Sequence, residues 1–96
     1  MSNPLPLDIH HLPEQGRFET WVDGLRCEAD YVLQGQVMHM THTGVPRALE
    51  GRGIAAALVL AALQWARGQQ LKVNPVCSYV AVYLRRHPEW QDLRTP

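Results

Sequence analysis

Hydrophobic and polar positions alternate with a period of two along the first patterned part of the chain, as in strands with one buried face. The first such stretch is RFETWV at 17–22, and the second is LRCEADYVLQ at 25–34. An Asp-Gly pair at 23–24 separates them and is typical of tight hairpin turns. A Gln-Gly turn at 34–35 precedes a third stretch, QVMHMTHTGV at 36–45. The pattern predicts an antiparallel meander of three strands, with one hydrophobic face that needs a cover.

The period changes from two to 3.6 residues between Gly51 and Gly68. Large apolar residues recur there at helical spacing, and smaller apolar residues beside them widen the stripe until little polar surface is left. This pattern predicts a buried helix that covers the meander. The stripe consists of Ile54, Leu58, Ala61 and Trp65, widened by Ala55, Val59 and Ala62.

A short fourth strand and a second helix are predicted after the first helix. Because a helix separates LKV at 71–73 from the third strand, we expect the two strands to be parallel, joined by a right-handed crossover. In the segment NPVCSYVAVYLRRHPEW, Asn74 is a favourable N-cap and Pro75 suits the first helical position. Pro88 predicts that this second helix ends near His87.

The residues before Arg17 show little periodicity. Because three prolines interrupt residues 1–16, we expect an irregular N-terminal arm there, with one short extended piece at 7–10. Residues 17–96 are expected to form a single domain with the element order β-β-β-α-β-α. The predicted fold class is therefore α+β.

Composition and charge narrow the class of protein. The chain has 96 residues, enough for one small domain. Nine Lys and Arg balance nine Asp and Glu, and aromatic residues do not alternate with basic ones, so we expect no nucleic acid and no membrane surface as partners. The longest apolar stretch, 54–63, is about half of a bilayer span, and residues 1–16 lack the features of a secretory signal. We therefore expect a cytoplasmic protein.

The chain has two cysteines and five histidines. Cys27 and Cys77 are too few for a disulfide scaffold, and we expect two separate, reduced thiols. The cysteines lack zinc-finger spacing, and His39 and His42 are predicted to face opposite sides of the sheet because they lie three residues apart on one strand. We therefore expect no metal site.

The segment EGRGIA at 50–55 places two glycines directly before the predicted first helix. A helix begins with backbone N–H groups that have no partner inside the helix and lie at the positive end of its dipole. Glycines leave room for an anion such as phosphate to approach these donors. The segment is neither a P-loop nor a three-glycine dinucleotide motif. On the turn alone, a tight connection without a ligand is the simpler interpretation.

Four segments in order extend this motif into a family resemblance: GRFETWVDG, HTGVPRALEGRGIAAALV, LKVNPVCSYV and HPEWQDL. Together they resemble the small single-domain YjdJ-like branch of the GNAT (GCN5-related N-acetyltransferase) superfamily, from about Arg17 to Leu93. In that superfamily the motif Gln/Arg-x-x-Gly-x-Gly/Ala binds the pyrophosphate of acyl-CoA. The resemblance implies a minimal GNAT-like fold, acetyl-CoA as the cofactor and an amine as the acetyl acceptor.

The resemblance also implies which residues bind acetyl-CoA or CoA. The loop is expected to bind through main-chain N–H groups, and the pantetheine arm is expected where the third and fourth strands splay apart. Glu50 occupies the Gln/Arg position, where a carboxylate would repel a diphosphate, so either its side chain points away or backbone donors suffice. Arg47 and Arg52 either add positive charge or are solvated surface residues. The expected cofactor-binding residues are Thr43, Val45, Glu50, Gly51, Arg52, Gly53, Ile54, Ala55 and Tyr79.

Three residues are candidates for catalysis. Cys77, in the first turn of the predicted second helix, is either a nucleophile whose pKa the helix dipole lowers or a small residue packed against the sheet. Tyr83 resembles the tyrosine that protonates the leaving thiolate in the superfamily, and Tyr79, one turn earlier, is the alternative donor; both can equally be packing residues. His42 either takes the proton of the amine or is a structural histidine.

The predicted function is that of an acetyl-CoA-dependent N-acetyltransferase acting on an amine of unknown identity. The YjdJ-like branch lacks the helices that shape the acceptor pocket in larger relatives. A shallow, open acceptor site is therefore expected, which implies either a large acceptor, such as a protein lysine or N-terminus, or poor activity on small amines. The alternative is a CoA-binding module that senses or scaffolds without turnover.

Overall fold

The computed structural model describes residues 7–96. Five strands form one sheet in sequence order; the first four are antiparallel, and the fifth is parallel to the fourth. The strands are β1 (His10–Leu12), β2 (Arg17–Val22), β3 (Leu25–Gln34), β4 (Val37–Gly44) and β5 (Lys72–Pro75). The helical elements are α1 (Ile54–Gly68), α2 (Ser78–Arg86) and two short 3-10 helices at Arg47–Leu49 and Pro88–Leu93.

The predicted α+β fold class is confirmed. β2 and β3 have the predicted bounds, and Asp23 and Gly24 form the turn between them with φ angles of 53° and 76°. β4 is one residue shorter at each end than the predicted 36–45. α1 connects β4 to β5, which pairs with β4 in parallel as expected for strands joined by a crossover helix.

A short strand lies where an irregular arm was predicted. β1 pairs with β2 in antiparallel register, with His11 opposite Phe18. The His11 ring stacks on Phe18 at 4.0 Å between ring centroids and meets the Trp65 ring of α1 edge-on. Because β1 has three residues, its alternation is too short to recognise, and aromatic packing holds it instead. The extended piece predicted at 7–10 overlaps β1 by one residue, and residues 1–6 lie outside the described part of the chain.

Both helices pack on the same face of the sheet and share one hydrophobic core with it. The strands contribute Phe18, Thr20, Cys27, Ala29, Tyr31, Met38, Met40 and Val73, and the helices contribute Ile54, Leu58, Val59, Ala62, Leu63, Ala66, Val80 and Leu84. No helix of residues 7–96 covers the opposite face, where Trp21 and Val32 are 59% and 53% exposed. The sheet therefore has a covered face, which carries the helices, and an open face.

A β-bulge in β4 changes the direction of its histidines. Asp30 of β3 pairs with His42, but the next residue, Tyr31, pairs with Met40, which leaves Thr41 as an extra residue on β4. His39 and His42 therefore both lie on the open face. The prediction that they face opposite sides was wrong, because a separation of three residues reverses the face only in a strand without a bulge.

β4 and β5 run side by side for only part of their length. Their pairing extends from Val37 opposite Lys72 to Met40 opposite Pro75. Beyond it, the chain leaves the sheet, and the N–H of Cys77 donates to the carbonyl of Met40 at 2.9 Å. Residues 41–44 of β4 continue without β5 beside them, and we call this segment the β4 edge.

The start of α2 differs from the prediction in a way that moves Cys77. Asn74 and Pro75 are the last residues of β5, not the N-cap and first residue of the helix. α2 begins at Ser78, and Cys77 occupies its N-cap position with an extended backbone (φ −70°, ψ 131°). Pro75 is compatible with this because a proline is tolerated at the end of an edge strand, where its missing N–H costs no ladder bond.

Candidate active site

The glycine turn before α1 has the conformation that requires glycine. Gly51 and Gly53 have φ angles of 83° and 80°, in the left-handed region that L-residues avoid. Gly53 is the N-cap of α1, and its carbonyl accepts the N–H of Ala57 at 3.1 Å. A Cβ atom added at either glycine would meet no atom within 4 Å. Backbone conformation, not crowding, therefore explains both glycines, and the space over the turn is open.

A cavity of about 390 Å³ lies between this turn, the β4 edge and the start of α2. It is lined by Thr43, Val45, Leu49, Glu50, Gly51, Gly53, Ile54, Ala55, Ala56 and Tyr79. Eight of the nine residues expected to bind the cofactor thus come together around one cavity. We call it the turn cavity.

Two lining residues, Leu49 and Ala56, were not among the expected ones. Leu49 is buried in the 3-10 helix before the turn and lines the cavity from there. Ala56 is the residue after the motif. Small alanine side chains in the first turn of α1 leave space for the cavity. Only the loop geometry reveals Leu49, whereas Ala56 could have been included by extending the motif by one residue.

The ninth expected residue, Arg52, points away from the cavity. Its guanidinium Nη1 lies 3.2 Å from Oδ2 of Asp23, in an exposed ion pair that joins the turn to the β2–β3 hairpin. Such surface pairs contribute at most about 1 kcal/mol. Glu50 is the only charged residue that lines the turn cavity. No basic side chain lines it, so an anion there would have to be held by neutral donors, which are main-chain N–H groups and the hydroxyls of Thr43 and Tyr79.

Cys77 lies beside the turn cavity, at the N-terminus of α2. Its Sγ is 3.6 Å from Oγ1 of Thr43, which lines the cavity. Burial raises the pKa of this thiol, but the backbone N–H of Val80, the Thr43 hydroxyl and the backbone N–H groups of Tyr79 and Thr43 together outweigh burial and lower the pKa. The thiolate is therefore favoured where α2, the β4 edge and the cavity meet.

The other cysteine has the opposite environment. Cys27 is fully buried in the core, and burial followed by the charge of Glu28 raises the pKa of its thiol. A buried thiol without donors is inert. The surroundings therefore lower the pKa of the Cys77 thiol and raise the pKa of the Cys27 thiol.

The two tyrosines of α2 differ in position. Tyr79 lines the turn cavity and is 40% exposed. Tyr83 does not line it; its ring stacks on His87 with 4.0 Å between centroids and lines a neighbouring cavity. Burial raises the pKa of both hydroxyls. Tyr79 is therefore closer than Tyr83 to the place expected for a leaving thiolate.

His42 lies on the open face, across the sheet from the turn cavity. Its Nε2 is 3.3 Å from Oε2 of Glu28. A Cβ atom at Gly44 would lie 2.9 Å from each of these two atoms, so the glycine at the end of β4 makes room for the pair. Glu28 can thus orient the imidazole next to the β4 edge.

Glu28, Asp30 and His42 bring three possible metal-ligand atoms within 4.8 Å of one another. Both carboxylates already have a cation: Arg26 lies 3.0 Å from Glu28, and Arg17 lies 2.8 Å from Asp30. The arrangement is that of an ion-pair network along β2, β3 and β4. The absence of a metal site stays a prediction.

The fold and the site together define a class of protein. In this chain a helix joins an antiparallel sheet to a parallel strand, a glycine turn lies at the start of that helix, and two strands diverge beside it. This is the arrangement expected for a GNAT protein. Residues 17–93 match the family described as GCN5-related N-acetyl-transferase. The chain belongs to this family. Within residues 7–96, neither helix is long and apolar enough to cross a bilayer.

Individual relatives agree with this assignment. The chain is 31% identical over 87 residues to Protein NATD1 of Gallus gallus, which covers 86% of this chain and 78% of the relative. It is 36% identical over 84 residues to Protein NATD1 of Xenopus tropicalis, covering 83% of this chain and 76% of the relative. A GCN5-like protein from Staphylococcus aureus, solved in solution by NMR, superimposes with a TM-score of 0.74 at 27% identity, over 99% of this chain and 91% of that one.

Proposed function

We propose that this protein is an acetyl-CoA-dependent N-acetyltransferase that modifies a protein or peptide amine. The observation that carries the proposal is the turn cavity, which lies between a helix N-terminus and the β4 edge, with Cys77 beside it at 3.6 Å from Oγ1 of Thr43. Acetyl-CoA supplies an activated acetyl group. The chain must bind the nucleotide end, orient the thioester and manage two protons.

Binding of the diphosphate is assigned to the turn from Gly51 to Ala55. N–H groups at the start of α1 supply hydrogen bonds, and the helix dipole favours negative charge there. The Glu50 carboxylate opposes this charge and no basic side chain lines the cavity, so neutral donors, chiefly the main-chain N–H groups of the turn, carry the interaction. Along the β4 edge, backbone groups that β5 does not use can pair with the amides of the pantetheine arm.

Cys77 is assigned to the acetyl end of the site. In one route its thiolate attacks the thioester carbonyl, CoA leaves as a thiolate, and the amine later attacks the acetyl-cysteine. In the other route the amine attacks the thioester directly, and Cys77 only lines the site. In both routes the CoA thiolate needs a proton, for which Tyr79 is better placed than Tyr83.

The acceptor is assigned to the open face. Because the helices occupy the covered face, a large amine substrate can reach the β4 edge from the other side of the sheet. His42, held by Glu28 at 3.3 Å, is the base assigned to the amine proton there. No helix of residues 7–96 covers the open face, which leaves room for a protein or peptide that projects one amine toward the edge.

A CoA-binding module without turnover is the competing function. Two observations favour this function. The sheet separates His42 from the turn cavity, and Glu50 is the only charged residue that lines this cavity. In that case CoA would bind, and Cys77→Ala and Tyr79→Phe would not change the biological role.

A calorimetric titration followed by mass analysis tests the proposal. The protein should bind acetyl-CoA and CoA and should then transfer acetyl groups to lysine-containing peptides, detected as mass increments on the peptide. A hydroxylamine-sensitive adduct on the protein that Cys77→Ser lacks would identify the covalent route. Binding without any peptide modification would favour the binding module, and absence of binding would exclude both functions.

A further inference from the structure

A second cavity adjoins the turn cavity in the groove between the two helices. Its volume is about 240 Å³, and it shares Ala56 and Tyr79 with the turn cavity. It is lined by Ala56, Tyr79, Val82, Tyr83, Arg86 and His87. We call it the groove cavity. Apart from Tyr79, none of its lining residues has a role in the chemistry assigned above.

The two cavities differ in charge. The only charged side chain that lines the turn cavity is the Glu50 carboxylate, whereas the groove cavity has the guanidinium of Arg86. No carboxylate among residues 7–96 forms an ion pair with Arg86, unlike Arg17, Arg26 and Arg52, which each have one. An anion that extends from the turn cavity into the groove cavity would therefore meet, at Arg86, a positive charge that no carboxylate among residues 7–96 compensates.

The walls of the groove cavity suit a planar ring. Tyr83 and His87 stack on each other with ring centroids 4.0 Å apart, and Tyr79 forms the border with the turn cavity. Aromatic side chains offer flat faces on which a nucleobase can stack. A cation next to an aromatic wall is the combination that a phosphorylated nucleoside requires.

We propose that the groove cavity receives the adenosine end of CoA and that Arg86 binds the 3′-phosphate, so that Arg86 makes this protein select CoA over dephospho-CoA. The inference rests on the proposed function. If the diphosphate lies at the glycine turn and the pantetheine arm follows the β4 edge, the nucleoside has to leave the turn in another direction. Ala56, one residue after the turn segment, opens directly to the groove cavity.

A ligand and mutant cycle tests this proposal. Calorimetry would measure the affinities of CoA and dephospho-CoA for the wild type, Arg86→Met and Arg85→Met. Methionine keeps an apolar stem while removing the guanidinium. Arg85 is the matched control because it is the preceding, also exposed residue of α2, shares the last helical turn and does not line the cavity.

We expect the guanidinium of Arg86 and the 3′-phosphate of CoA to contribute to affinity through one shared interaction. Removing either the guanidinium or the 3′-phosphate should weaken binding about ten-fold, the size of one charge-assisted hydrogen bond, and removing both should weaken it no further. Arg85→Met should bind both ligands as the wild type does. If Arg86 only complements the dipole of α2, Arg85→Met and Arg86→Met should behave alike, and that would overturn the inference.

The failure of the inference can be told apart from the failure of the proposed function. If the wild type binds CoA and dephospho-CoA equally well, or if the two losses add, the site for CoA stands and the role of Arg86 is wrong. If the wild type binds neither ligand, both proposals are wrong. The comparison of the two ligands on the wild type needs no variant and therefore does not depend on how Arg86→Met folds.

Discussion

The two faces of the sheet offer different chemistry. The covered face provides a cavity, a helix N-terminus and a cysteine whose thiolate is stabilised by several donors. The open face provides an imidazole held by a carboxylate, within a network of ion pairs. The two sets approach each other only at the β4 edge, beyond the last pair of β4 and β5. This difference supports the proposal that acetyl-CoA binds on the covered face and that the acceptor amine approaches from the open face.

If cofactor and acceptor bind on opposite faces, a substitution on the open face should change turnover without changing the affinity for acetyl-CoA. His42→Ala should lower kcat about 100-fold, because a general base typically contributes that much, while the affinity for acetyl-CoA stays the same. Turnover at saturating acetyl-CoA and a calorimetric titration would measure the two quantities. His39→Ala is the matched control, since it removes a histidine from the same strand and face that is bonded to Asn74. Loss of acetyl-CoA affinity in His42→Ala alone would contradict binding on opposite faces.

A change on the covered face should have the opposite effect. Gly53→Val places a branched side chain in the open space over the turn and should weaken acetyl-CoA binding at least about ten-fold. Gly35→Val is the control, because Gly35 has a φ of 57°, is equally uncrowded and lies in the β3–β4 hairpin. Both changes should cost about 1–2 kcal/mol of stability from left-handed backbone strain. Equal affinities in the two variants would remove the turn from the site.

The thiolate can be examined without any substrate. Cys77 should be alkylated faster than Cys27, and its rate should rise with pH at a lower midpoint than an ordinary thiol shows, since its pKa is lowered. Thr43→Val should raise that midpoint and slow the reaction about five-fold near neutral pH, the value of one hydrogen bond. Thr43→Ser should restore both. Equal rates for the two cysteines would mean that the donors around Cys77 do not stabilise a thiolate.

The smallest expected effect concerns the aromatic cluster on the covered face. Burial lowers the pKa of His11, which packs on Phe18 and hydrogen-bonds to the hydroxyl of Tyr31. The unfolded state therefore binds a proton more readily than the folded state, and this contribution to the unfolding free energy is present above about pH 6.5 and is lost as the pH falls below it. Denaturant titrations at pH 7.5 and 5.5 would measure it. His11→Phe should reduce the difference between the two pH values, and an unchanged difference would contradict the assignment.

The elements that the sequence predicted well are those stabilised by their own periodicity. Alternation predicted β2 and β3, helical spacing predicted α1, and two glycines one residue apart predicted the turn. The residues around the turn cavity were anticipated from a family resemblance, since neither periodicity nor spacing brings Thr43 and Tyr79 together. Local sequence patterns thus predicted the strands and the helix, whereas the family resemblance predicted which residues lie together around the cavity.

The missed features depend on contacts between distant residues. β1 exists because His11 packs against Phe18 and Trp65, and three residues are too few for a recognisable pattern. The bulge at Thr41 is a property of the pairing between β3 and β4, so it could not be predicted from β4 alone. Asn74 and Pro75 have good helix-start chemistry, but parallel pairing with β4 draws them into β5.

We propose that acetyl-CoA binds on the covered face, at the glycine turn and the β4 edge. A titration of isotope-labelled protein with acetyl-CoA, followed by NMR, tests this claim residue by residue. We predict the largest chemical-shift changes at the amides of Gly51, Gly53, Thr43 and Tyr79, with little change at the Trp21 indole on the open face. Shifts confined to the open face, or no shifts at all, would contradict the account.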